Sequence, residues 1–144
     1  PALGVYITPF VELAVGTALY ASGDALGAKA SFPNVPEHGV IMGVKVIDRD
    51  KESVNLDVVL FTADIAGTAA NDAFDPTDAE LQTCLGAILV DTWKAFNDSS
   101  LGSVANLGFP YWAPAGVLYF QCVTRGTPTY TATDDVRVAL SIVH

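Results

Sequence analysis

Imidazoles, thiols and basic side chains are scarce in this sequence: it holds 2 His, 2 Cys and 7 Lys plus Arg in 144 residues. Each shortage excludes a class of function. Nucleophile–base catalysis needs an imidazole beside a Ser or Cys. Here the histidines are His38, next to a turn signal, and His144, at the far end of the sequence. No G-x-S-x-G is present, and neither Cys84 nor Cys122 has a base near it in sequence. Zinc ligation wants closely spaced Cys and His, and neither C-x-x-C nor H-x-x-x-H occurs. We therefore expect no enzyme activity, no metal and no cofactor.

Against 7 basic residues stand 16 acidic ones, for a net charge of −9. Such a chain repels phosphate backbones unless its cations cluster. Lys45, Arg49 and Lys51 come nearest to a cluster, but Asp48, Asp50 and Glu52 interrupt them. The segment reads as a solvated turn, and no nucleic-acid partner is expected. Apolar runs such as 58–61 and 117–120 are far too short to span a bilayer, so no membrane partner is expected either. No basic n-region precedes an apolar run at the start, and Pro1 reads as a residue exposed by removal of an initiator Met or by another processing route. Cys84 and Cys122 lie far apart within apolar segments, and the sequence leaves open whether they pair; two free buried thiols is the plainer reading, which would suit a reducing compartment.

What is abundant is apolar side chain, 51% of the chain, with only 16% charged. That balance argues for a packed core, with apolar surface left over for contact between subunits. The length suits one domain. Period-two alternation dominates. Val40, Met42, Val44 and Val46 share one face; so do Val54, Leu56, Val58 and Leu60, and later Val136, Val138, Leu140 and Ile142. These are half-buried strands. The polar stretch 48–53 between the first two predicts a hairpin over 39–61. Further strands are expected at 11–15, 17–21, 26–32, 85–90 and 117–123. The segment 98–115, rich in Pro, Gly and aromatics, reads as a long loop.

One short helix is expected near 76–84. Asp75 would cap it with Pro76 at its first position, or Thr77 and Glu80 would form a capping box. The acids Asp72, Asp75, Asp78 and Glu80 are better read as helix capping than as a calcium loop, since the central Gly of the EF-hand is missing. Asp134 and Asp135 read as a turn before the last strand. Many strands with uneven connections predict an all-β, single-domain antiparallel β-sandwich of jelly-roll or Greek-key type. Residues 1–15 would form an N-terminal arm or edge strand, and 16–144 the sandwich.

Three stretches carry a resemblance. They are Tyr20-Ala21-Ser22-Gly23-Asp24-Ala25-Leu26-Gly27; then Asp57-Val58-Val59-Leu60-Phe61 leading to Asn71-Asp72-Ala73-Phe74; and Gly126-Thr127-Pro128-Thr129-Tyr130-Thr131 with Asp134-Asp135. In this arrangement, over about 20–142, the chain resembles small virion structural proteins of tailed bacteriophages. The resemblance implies a capsid decoration or cement protein on the shell exterior, assembled in the host cytoplasm. It would bind the major capsid protein and form a homo-oligomer, a dimer or trimer. A tail or neck component is the nearest alternative. A carbohydrate-binding jelly roll is another, with Trp93, Tyr111 and Trp112 available for stacking.

A lattice-binding protein needs contact surfaces rather than a pocket. Pro1, Val5, Tyr6 and Phe10 are the expected contacts on an N-terminal arm laid across a neighbour. Phe109, Tyr111 and Trp112 either contact another subunit or cap one end of the sandwich.

Overall fold

The computed structural model describes residues 3–144, so Pro1 lies outside the described residues. The strands are β1 (Val5–Ile7), β2 (Val11–Glu12), β3 (Ala30–Pro33), β4 (His38–Asp48), β5 (Leu56–Phe61), β6 (Cys84–Val90), β7 (Trp93–Ala95), β8 (Ser100–Val104), β9 (Phe109–Trp112), β10 (Val117–Thr124) and β11 (Val136–Val143). One helix, α1 (Asp78–Leu81), precedes β6. The expected β-sandwich is present: two antiparallel sheets pack around one core.

Two of the edges are broken strands. β1 and β2 both pair with β11, interrupted at 8–10, where the Thr8 hydroxyl accepts from Leu140 N at 2.9 Å in place of a backbone carbonyl. β8 and β9 both pair with β4, interrupted at 105–108. The first sheet then runs β1/β2–β11–β4–β8/β9 with β7 outside β8, and the second runs β3–β10–β5–β6. Counting each broken strand once and setting β7 aside, the order 1-8-3-6 faces 2-7-4-5. That is the jelly-roll order, built from two Greek keys.

The core follows the alternation except at the start of β4. There Ile41, not Val40 or Met42, shares the buried face with Val44 and Val46, because the ladder with β11 shifts register and turns Val40 outward. Ile41, Val44 and Val46 of β4 meet Val136, Val138, Leu140 and Ile142 of β11, and both sets face Leu56, Val58, Leu60, Leu118 and Phe120 of the other sheet. Phe32 and Phe120 stack with centroids 4.4 Å apart. Tyr20 is buried with its hydroxyl satisfied on both sides, accepting from Gly16 N at 2.7 Å and donating to Leu26 O at 2.6 Å. This pins the connection between β2 and β3 to the core. A tight turn forms at Ser22-Gly23-Asp24, with Gly23 at φ +97° and the Asp24 carboxylate accepting from Ala21 N.

The hairpin expected over 39–61 is absent. β4 already has β11 on one side and β8/β9 on the other, so β5 finds no free edge and crosses to the second sheet between β10 and β6. The connection is shaped by Asp48, whose two carboxylate oxygens accept from Asp50 N and Ser53 N, while Lys51 and Ser53 adopt positive φ. Asp48 is therefore buried rather than solvated. The stretch 98–115 is likewise no loop, because it contains β8 and β9. Pro110 is tolerated there because β9 is an edge. No strand forms at 17–21, where the chain instead leads into the Gly23 turn. At α1 the cap is Thr77 rather than Asp75. Thr77 and Glu80 form the reciprocal capping box, which satisfies two end donors where a lone Asp cap would satisfy one. Cys84 and Cys122 are both free, half-buried and buried respectively.

Candidate functional site

The outward face of the first sheet divides into a charged half and an apolar half. In the charged half, Glu12 lies opposite Arg137, Arg137 opposite Ile47, and Ile47 opposite Leu101. Lys45 lies one step along, opposite Ala139 and Ser103. In the apolar half, Val5 of β1 lies opposite Val143 of β11, Val143 opposite Val40 of β4, and Val40 opposite Pro110 of β9. Residues directly opposite in an antiparallel ladder share a face, so these four form a stripe crossing four strands. His38 and Trp112, opposite each other, form the next row.

Trp112 is 58% exposed. Its ring lies nearly parallel to that of His38, with an interplanar angle of 12° and centroids 6.2 Å apart. Its indole N–H donates to Glu37 Oε1 at 3.2 Å. The indole is thus held in place while one side stays open to solvent. Beside it Leu3, His38, Val40, Val143 and His144 line a shallow depression of about 330 Å3. Leu3, Val5 and Ile7 are 78%, 70% and 63% exposed, so one side of β1 is a row of open aliphatic side chains.

The residues singled out in the sequence separate by strand parity. Val5 and Trp112 point outward into this surface. Phe10 is exposed within the β1/β2 break, just after Pro9. Tyr6 points inward and is half-buried, lining with Thr8, Pro9, Val11 and Phe32 an apolar cleft of about 180 Å3 between the two sheets. Tyr111 is buried. Its hydroxyl donates to Pro36 O at 2.8 Å, and burial pushes its pKa up to about 12. Phe109 packs over Gly86, where a Cβ would lie 2.7 Å from the ring. Phe109 and Tyr111 therefore close one end of the sandwich, leaving Trp112 as the exposed aromatic of the three. Residues 5–7 lie on the chain's own sheet as an edge strand and do not extend as an arm.

Leu3, Ile7, Val40 and Val143 are not among the contacts expected from the sequence, which reads Val40 on one face with Met42, Val44 and Val46. For Leu3 and Ile7 the signal was there, in their alternation with Val5.

The three aromatics proposed for sugar stacking do not converge. Trp93 lies opposite Gly102 and packs on the core, and Gly102 lies opposite Val46. Trp112 is level with His38, roughly 25 Å away along β4 at about 3.3 Å per residue, and on the other face. Asp135 is structural: it accepts from Thr131 N and Ala132 N in the turn before β11. Among the described residues, no group of three or more His, Cys, Asp and Glu is placed to hold a metal ion. No described helix is long and apolar enough to cross a membrane. No protein-family model matches the sequence, and no curated protein matches it.

Proposed function

We propose that this jelly roll is a non-enzymatic structural subunit of a tailed-phage virion. It decorates or cements the capsid exterior by laying the outer face of its first sheet on the major capsid protein lattice. The observation that carries the proposal is the apolar stripe Val5–Val143–Val40–Pro110, flanked by the exposed Trp112. A contiguous, partly exposed apolar stripe of this kind marks a contact surface, and an exposed aromatic beside it is a fitting anchor. Jelly rolls serve both viral shells and lectins, so the fold alone does not choose between them. The separation of Trp93, Tyr111 and Trp112 favours a lattice contact over a sugar platform. The resemblance of the turn and strand motifs supplies the kind of particle.

The test is to add the purified protein to particles that lack it and reconstruct them. Density over the shell, lost with Val40→Lys, is the expected result. Density at the neck or tail moves the protein to that alternative. Absence from the particle, or occupancy unchanged by Val40→Lys, overturns the assignment of this face.

A further inference from the structure

Among the described residues, no strand pairs with β1 on the side away from β11. Gly4 N donates to His144 O at 2.8 Å, His144 N returns to Gly4 O at 3.0 Å, and Thr8 N donates to Leu140 O at 3.0 Å. In an antiparallel ladder these reciprocal bonds fall on alternate residues. Gly4, Tyr6 and Thr8 therefore spend their backbone groups on β11, while those of Leu3, Val5 and Ile7 face outward from the sheet. The same three residues carry the exposed aliphatic side chains. Edge strands are ordinarily guarded by a charge, a bulge or a Pro. No charged residue occurs in 3–11, and the one Pro in that stretch, Pro9, shuts the edge only beyond Ile7.

We infer that the chain forms a two-fold dimer in which β1 pairs antiparallel with β1 of a second copy, centred on Val5. About that centre Val5 opposes Val5 and Leu3 opposes Ile7. Each outward N–H then meets an outward carbonyl, and the aliphatic side chains of both strands gather on one face. Three features select a second copy as the occupant. A two-fold contact must be complementary to itself, and an aliphatic row spaced evenly about Val5 is so. Two copies that each carry a net charge of −9 must also meet on a neutral segment, which 3–11 provides. Finally, pairing fuses the two first sheets into one and sets the two Val5–Val143–Val40–Pro110 stripes side by side. Backbone strand addition provides the contact.

The inference does not rest on the virion reading. Sedimentation velocity of the full chain should show a monomer–dimer equilibrium that shifts with concentration. Val5→Pro should leave a monomer, because it removes an outward N–H that β11 does not use. A Val5→Cys variant in a Cys84→Ser background should cross-link into dimers under mild oxidant at least tenfold faster than Leu19→Cys in the same background. Leu19 is also 66% exposed but lies away from this edge. A chain that stays monomeric at all concentrations overturns the inference, as does a dimer that persists in Val5→Pro or a Val5→Cys variant that links no faster than Leu19→Cys. A monomer that still binds particles removes the dimer alone and leaves the proposed function standing.

Discussion

The side chain of Gln121 clasps the backbone of Thr68: its Nε2 donates to the Thr68 carbonyl at 2.7 Å, and its Oε1 accepts from the Thr68 N–H at 3.0 Å. The same Nε2 donates to Gly27 O at 2.8 Å. Gln121 is fully buried on β10, so one amide ties the β2–β3 and β5–β6 connections to the second sheet. A buried partner left unpaired costs about 1–3 kcal/mol. Gln121→Leu should therefore destabilise the domain by at least about 2 kcal/mol in chemical denaturation, since several partners are stranded together. A loss under about 0.5 kcal/mol would show that the clasp contributes nothing.

Tyr20→Phe is a milder version of the same experiment. It removes the hydroxyl bridging Gly16 N and Leu26 O while keeping the ring against Tyr130. A loss of about 1–3 kcal/mol is expected, with faster amide exchange around residue 16. Unchanged exchange there would mean that other contacts hold the connection.

Burial raises the pKa of Asp48, opposed by the N–H groups of Ser53 and Asp50 and reinforced by the charges of Asp50 and Glu52. The folded state thus holds this proton more tightly than the unfolded chain does. Its contribution is fully present below the ordinary value of 3.8 and is lost as pH rises through the raised folded value. The stability of wild type relative to Asp48→Asn should therefore be constant below pH 3.8 and fall as pH rises from there through the raised folded value. A relative stability that rises with pH across that range would contradict this account.

Desolvation pushes the Cys122 thiol up, and the nearby Asp57 carboxylate adds to the shift. Iodoacetamide at neutral pH should modify the half-buried Cys84 first and reach Cys122 only on unfolding. Equal labelling of both in the native protein would mean that β10 opens readily.

Trp112→Ala should leave the unfolding midpoint nearly unchanged, because the ring is largely exposed, while capsid occupancy falls at least tenfold. Normal occupancy with a lower midpoint would assign Trp112 to the monomer rather than to the contact.

Side-chain alternation made β5 and β11 legible, since Leu56, Val58 and Leu60, and Val136, Val138, Leu140 and Ile142, line the core at every second position. In β4 a register shift against β11 breaks the alternation, so Ile41 rather than Val40 or Met42 joins Val44 and Val46. Alternation could not say which strands pair. The polar run after Asp48 resembles a hairpin loop, and only the occupation of both β4 edges shows why it is a crossing between sheets. β8 and β9 were hidden by Gly102, Gly108 and Pro110, whose local preferences oppose a strand; their partner β4 overrides that preference. The apolar surface was visible in part, through Val5 and Trp112. Val40 and Val143 join it only through the register of β1, β11, β4 and β9, which no local pattern encodes.

The position of β11 also governs when the domain can fold. It is the last strand in the chain, yet it lies inside its sheet between β1/β2 and β4. Strands made earlier on the ribosome must wait with their apolar faces uncovered until β11 emerges to join them. Such distant pairings fold slowly, on about the millisecond-to-second scale. A nascent chain stalled before residue 136 would be a natural client for chaperones.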